Sequence, residues 1–480
     1  MKKLISLLLV ALFVALVACE NVEYPSESSK IESDADLYEQ LESQLPQTDS
    51  ESAANTDFVI LTDDVTAFHQ GETLTGSINM VLEERNTFLR DKYGANVIVR
   101  QVTIDELFDE LSEALLSGTH ACDMISVSAK ETVKLYTAGL LGDLNALPDF
   151  NIENGFFDEK LSKSLATNNS LYMIGDPTAL VYDKANVMFF NRDLVVATEG
   201  DPDIETLVMQ GKWTWDKFDE YCRSSAAKVY NHSTADLNTD VFAFGAYDTT
   251  NAYPLAIFTS TGSKLIDNTY KNPGAITMEA DSVISVAEML MSYYNVRGRY
   301  PVGEGEELAT VFESNRLVFF SNELSYLYAL RDGTEKGSNY GFLPMPKSSE
   351  EQSEYYCLLS EDARVIAIPK TIENKDESYK KYVSAIISAT CAIGGKTMRD
   401  AYINSQLALY LNSNSEAVML KTICDSITFD FAHIYGSEIE TIKTPTTKAI
   451  IDYFGYGSRL SSSLRQGKKT FEQYCAEKFV

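Results

Sequence analysis

Residues 97–128 read VIVRQVTIDELFDELSEALLSGTHACDMISVS, and a strand, a helix and a second strand are legible in them. Ile104, Leu107, Phe108, Leu111 and Leu115 recur at three- and four-residue spacing and so share one helical face, while Asp105, Glu106, Asp109 and Glu113 turn away from it. Thr103 and Glu106 make a capping box at the start, and Gly118 suits the end. The apolar runs 97–102 and 124–127 flank this helix as strands, and an earlier run, 58–61, ends in Thr62-Asp63-Asp64. Strand, helix and strand in alternation predict an open α/β domain with a parallel sheet and a right-handed crossover. Ligands of such sheets sit beyond the carboxyl ends of the strands, which puts Asp63, Asp64, Ser126 and Ser128 near any cleft.

Toward the N-terminus, residues 1–18 read as a signal peptide, with Lys2 and Lys3 before an uncharged apolar stretch from Leu7 to Ala18. A bilayer span needs about 20 apolar residues, and Glu20 follows at once. Leu16-Val17-Ala18-Cys19 resembles the lipobox of bacterial lipoproteins, which implies cleavage before Cys19 and a lipid on its sulfur. Residues 19–56 are rich in Ser, Glu, Asp and Gln with Lys30 as the one basic residue, a composition that buries no core and predicts an acidic, disordered tether. Export removes cytosolic ATP, nicotinamide and nucleic acid from consideration and leaves binding or hydrolysis. The net charge of −30, two units more acidic once Lys2 and Lys3 are removed, excludes nucleic acid and anionic head groups, which need a basic footprint. With 480 residues, 45% of them hydrophobic, the chain is long enough for two packed domains.

Further motifs carry a family resemblance. Cys122-Asp123-Met124-Ile125-Ser126-Val127-Ser128, running on to Tyr136-Thr137-Ala138-Gly139-Leu140-Leu141-Gly142-Asp143-Leu144, resembles the first-lobe segment of family-1, maltodextrin-binding-type extracellular solute-binding proteins. Val187-Met188-Phe189-Phe190-Asn191-Arg192-Asp193-Leu194 is similar to that family's strand into the second lobe, with Arg192 where Lys is usual. Gly211-Lys212-Trp213-Thr214-Trp215-Asp216-Lys217-Phe218 resembles its Gly-Lys-Trp-Thr-Trp-Asp helix start; Thr214 can cap, Asp216 suits the positive end, and Trp215 with Phe218 can anchor, while Trp213 could sit at the rim. Arg316-Leu317-Val318-Phe319-Phe320, then Tyr340-Gly341-Phe342-Leu343-Pro344-Met345-Pro346-Lys347 and Val365-Ile366-Ala367-Ile368-Pro369-Lys370, extend the ordered set, which spans about residues 57–395.

The resemblance implies a two-lobed, type II periplasmic-binding-protein-like α/β fold with hinged lobes around a central cleft. Residues 57–182 with about 362–405 would form the first lobe, and 183–361 with about 406–480 the second. The implied function is the lipid-anchored solute-binding component of an ABC importer, monomeric, on the extracellular face of a Gram-positive membrane, passing a saccharide to the permease's transmembrane subunits. The implied ligand-binding residues are Asp63, Asp64, Ser128, Lys130, Asp176 and Asp183, and in the second lobe Tyr247, Asp248, Tyr253, Asn322, Glu323 and Tyr326. Glu323 stands where the family often places an aromatic, so it would bind hydroxyls rather than stack.

No catalytic residue, metal or cofactor is expected. Cys122, Cys222, Cys357, Cys391, Cys424 and Cys475 show no CxxC, which leaves buried free thiols or one bridged pair. Gly394-Gly395-Lys396-Thr397 lacks the first glycine of a phosphate loop and follows a helical run, so it reads as a helix connection. Asp236, Asn238 and Asp240 have calcium-loop spacing, but Val241 stands where the turn needs glycine and Tyr247 where the closing Glu belongs. His69, His120, His232 and His433 form no metal pair. Two rivals remain: a peptide- or polyamine-binding lipoprotein of the same fold, and a surface glycoside hydrolase, which needs only two acids across a cleft.

Overall fold

The computed structural model describes residues 41, 43–48, 56–68, 76–167, 170–177, 181–199, 203–226, 236–246, 252–264, 266–267, 275–276, 285, 288, 305–332, 339–443, 448, 465, 468 and 469. The signal peptide, Cys19 and most of the tether lie outside them. The chain divides into two compact units, Met1–Leu45 and Pro46–Val480, and the second holds everything that follows.

In chain order the strands are β1 (Thr56–Thr62), β2 (Ala95–Gln101), β3 (Met124–Ser128), β4 (Ile174–Gly175), β5 (Asn186–Asn191), β6 (Phe242–Ala246), β7 (Ile266–Asp267), β8 (Ala275–Ile276), β9 (Leu317–Glu323), β10 (Tyr340–Leu343), β11 (Cys357–Leu358), β12 (Arg364–Ala367) and β13 (Ile427–Thr428). Two main sheets result, ordered β2-β1-β3-β12-β4 and β10-β5-β9-β6. In the first, β1 runs parallel to both β2 and β3, as alternation with helices predicts, and β12 returns antiparallel between β3 and β4. In the second, β5 is antiparallel to β10 and β9, while β9 is parallel to β6.

The helix Ile104–Ser117 begins on Thr103 with both halves of the capping box in place and ends at Gly118, whose φ of 69° suits a residue without Cβ. Its expected apolar face needs correction. Leu107, Leu111 and Ala114 are the buried stripe, with the two leucines packed among Leu61, Ile125 and Val127, whereas Phe108 and Leu115 are 39% and 36% exposed. A face of five apolar residues is wider than the strip that the sheet covers.

The second sheet has an aromatic core instead. All of β5 is buried, which fits its continuous apolar run. The helix Trp215–Ala226 is capped by Thr214, whose hydroxyl accepts from Lys217 N at 3.3 Å, and it sets Phe218 5.0 Å from Phe319 and 5.2 Å from Phe244. Trp215 anchors it, donating to Ser260 Oγ at 3.0 Å. Trp213 is not at a rim: it is fully buried, donates to Pro344 O at 3.1 Å and packs on Phe319, so its ring joins the aromatic core and its N–H is satisfied there.

The chain passes between the sheets through a short turn, Val181–Lys184, that feeds β5. Ala185 bridges Leu359, Ser360 N donates to Lys184 O, and Leu324 N and Ser325 N donate to Ala185 O and Asp183 O. The end of β9 and the segment before β12 therefore meet at this crossing. The C-terminal part touches both sheets. Asn414–Ser426 lies beside β10 through Glu416, whereas Tyr435 donates to Leu165 O and packs on Tyr136, so within the stretch 406–480, expected with the second lobe, the described residues 414–435 make contacts on either side. Cys122, Cys222, Cys357, Cys391 and Cys424 are free and buried; Cys475 lies outside the described residues. Among the described residues no helix is long and apolar enough to cross a membrane.

Candidate functional site

Register brings the first sheet's functional edge together: Thr62 pairs with Ser126 across β1 and β3, and Ser128 pairs with Arg364, the first residue of β12. Arg364 reaches Asp63 at 2.7 Å and also hydrogen-bonds Thr62 Oγ1 and Ser126 O, so one guanidinium ties three strand ends. Its Nε, buried, has no partner. Asp64 turns inward to cap the short turn Val65–Ala67, accepting from Thr66 N at 2.9 Å. Ser128 does the same for the helix Ala129–Thr137, accepting from Glu131 N. Lys130 pairs with Glu361 at 2.8 Å, and that bond raises the lysine's pKa. Asp176 is fully buried and accepts from Ser126 Oγ at 2.7 Å.

At the crossing, Asp183 accepts from Tyr328 at 2.9 Å and from Tyr402. Burial pushes its carboxyl up to about 6, against the two hydroxyls, which pull it down. Next to it Lys184 pairs with Glu323 at 3.3 Å. Asn322 folds back to accept from Glu323 N, and Tyr326 donates to Glu313 at 2.7 Å with its ring on Phe189 and Phe320. Behind Lys130 and Glu361, His433 is buried with Nε2 unpartnered, and burial lowers its pKa.

The structure thus brings Lys130, Asp183 and Glu323 toward the crossing and holds Asp63 on Arg364 at the end of β1, while Asp64 and Ser128 cap, Asp176 is enclosed and Tyr326 packs. Tyr247 and Asp248 lie outside the described residues, as does the side chain of Tyr253. Residues the sequence reading passed over are Arg364, Glu361, Lys184, Tyr328 and Tyr402. Arg364 and Glu361 carry a signal, since they are charges immediately before an apolar strand that returns to the first sheet. The calcium spacing does not open into a cage: Asp236 Oδ1 takes Asn238 N at 2.8 Å and Asp240 takes Asp236 N at 2.9 Å. Among the described residues no three His, Cys, Asp or Glu side chains group to hold a metal.

Residues 71–390 match the family model of the bacterial extracellular solute-binding proteins. The chain belongs to that family. Its members are binding proteins for small solutes, found outside the cell or in the periplasm. No curated protein sequence matches the chain. Among solved structures, a cyclo/maltodextrin-binding protein complexed with maltotetraose has a TM-score of 0.55 at 13% identity, over 89% of this chain and 98% of that one. The cyclic α-maltosyl-1,6-maltose binding protein of Arthrobacter globiformis gives 0.57 at 10%, over 88% and 99%. UgpB of Mycobacterium tuberculosis, complexed with glycerophosphocholine, gives 0.51 at 14%, over 89% and 100%. At such identities the likeness is one of fold, the two-lobed periplasmic-binding-protein arrangement.

Proposed function

We propose that this chain is the solute-binding component of an ABC importer, anchored through a lipid on Cys19, and that it captures a neutral saccharide and delivers it to the permease. One observation carries the choice of solute: three cations at the crossing and the strand ends beside it already hold carboxylates, and Asp183 is enclosed by two tyrosines. Arg364 holds Asp63, Lys130 holds Glu361, and Lys184 holds Glu323. A polyamine or cationic peptide would have to break such pairs to find a counter-charge, leaving a cation behind it. A hydroxyl-rich, uncharged ligand need not. Paired carboxylates keep free lone pairs for sugar hydroxyls, and paired guanidinium and ammonium groups keep free N–H donors. The relatives that bind maltotetraose and cyclic maltosyl-maltose support this reading.

On this reading the lobes are 57–182 with about 362–405, and 183–361 with about 406–480, with Tyr435 bonded to Leu165 of the first. Closure of the lobes by differential affinity would mark the loaded state for the permease. In a wall without a periplasm, as in a Gram-positive cell, the lipid and the acidic tether would keep the protein beside that permease. Thermal unfolding of the mature chain with malto-oligosaccharides, basic peptides and spermidine tests the proposal. The expected result is a raised midpoint with saccharides alone and no smaller sugars released. A rise with spermidine or peptides instead would overturn the solute class, and release of smaller sugars would make the protein a glycoside hydrolase.

A further inference from the structure

Two connections between the lobes lie side by side. One is the turn Val181–Lys184. The other joins the helix Glu377–Ile393, whose Tyr382 packs on Phe58 of the first sheet, to the helix Asn414–Ser426 beside β10. This second connection contains two π-helical turns, Gly394–Met398 and Tyr402–Gln406, around Arg399–Ala401. Such turns are rare and widen the helix locally, which re-aims the side chains they carry. Here Tyr402 is turned fully inward: its ring stacks on Tyr182 at 5.3 Å and 28°, and its hydroxyl donates to Asp183. Tyr328, on the helix Tyr326–Asp332 that follows β9, donates to the same carboxylate. One carboxylate therefore joins the first crossing, the second connection and the second sheet.

We infer that Asp183 is a proton-sensitive joint of the hinge, so that the balance between open and closed lobes, and with it solute retention, changes with external pH through this one carboxyl. As a carboxylate it accepts from both tyrosines; as a neutral acid it has one O–H of its own, and the two-acceptor arrangement is weakened on one side. The groups around it are Lys184 on its own turn, Glu323 at the end of β9, Tyr328, the Tyr410 ring 4.8 Å from Tyr328, Tyr182, Tyr402, and Cys424 facing Tyr402 from the helix Asn414–Ser426. Of these only Lys184 is a cation, and it is shared with Glu323.

The sign follows from the burial that raises Asp183 to about 6. A carboxyl whose pKa is raised when enclosed favours the enclosed arrangement at acid pH and loses that contribution as pH rises through the raised value. Acidification from about pH 7.5 to 5 should therefore favour whichever lobe arrangement keeps Asp183 between its tyrosines. This concerns the hinge and holds whether or not the solute is a saccharide.

The test is an inter-lobe distance measured without solute, between labels at Ser117→Cys and Gln210→Cys in the mature chain, across pH 5 to 8. The expected distance distribution shifts with a midpoint near 6, as the raised carboxyl requires. Asp183→Asn, fixed in the neutral form, should remain at the acid-end distribution at every pH. Tyr402→Phe removes one donor to the carboxylate, so its midpoint should move upward. A distribution independent of pH in the parent chain would overturn the inference, as would an unchanged titration in Asp183→Asn. Should Asp183→Asn fail to fold, an unshifted midpoint in Tyr402→Phe does the same.

Discussion

Two sets of charged side chains hold this molecule, and they differ in their access to water. In the second sheet's flank, Glu416 takes Arg192 and Arg331 at 3.0 Å each while Glu205 takes Arg192 at 2.6 Å; the Glu416 side chain is 0% exposed and that of Arg331 8%. At the crossing, Lys130–Glu361 and Lys184–Glu323 also join a glutamate to a cation, but the cations are lysines and they are 36% and 37% exposed. The first set fastens the helix Asn414–Ser426 to β10 and cannot rearrange without burying an unpaired charge. The second set can give up a water-facing contact to an incoming hydroxyl and keep its partner. Burial of the Glu416 network separates a structural set from pairs that can serve a ligand.

The comparison breaks most easily at Glu416. Glu416→Ala leaves Arg192 and Arg331 close together without their shared counter-charge, and removing one partner of a buried pair costs about 3–5 kcal/mol. Chemical denaturation should show that loss, while Lys184→Ala should cost under about 1 kcal/mol, as expected for a pair in partial contact with water. Equal losses would remove the distinction between the two sets.

Binding should reverse the order. Glu323→Gln keeps the shape of the side chain and removes the charge that Lys184 satisfies, so the saccharide that raises the unfolding midpoint should bind about tenfold more weakly, about 1.4 kcal/mol. Titration calorimetry reads this directly, and an unchanged affinity would move the solute away from the end of β9.

How much of this was legible in the sequence depends on how local each cause is. Thr103, Glu106 and Gly118 specify the ends of their helix within sixteen residues, and they were readable. Phe108 and Leu115 have the right spacing for a buried face, yet the width of the sheet that covers the helix is set elsewhere in the chain. The parallel pairing of β1 and β3 was readable from alternation alone, but the division of labour among Asp63, Asp64, Ser128 and Asp176 was not. Asp64 and Ser128 spend their oxygens on neighbours two and three residues on. Asp63 depends on Arg364, 301 residues away, and Lys130 on Glu361, 231 away. The inward turn of Tyr402 depends on two π-helical turns that no residue pattern announces.

The smallest effect belongs to Arg100, and it sharpens the comparison from the other side. Its guanidinium makes two bonds to Glu110, at 3.2 and 2.8 Å, with better geometry than either lysine at the crossing. Bidentate geometry alone would rank it among the strongest pairs in the molecule. Its side chains are 46% and 34% exposed, however, so water screens the attraction and already solvates both partners. Arg100→Ala should therefore cost about 0.2–1 kcal/mol, and about 1 M salt should erase even that, because the screening length there is about 3 Å. Glu416→Ala should keep most of its cost in the same salt, since ions do not reach a buried network. A loss for Arg100→Ala that persists in high salt would mean that geometry outweighs burial in this protein, and the crossing pairs would then have to be reclassed as structural.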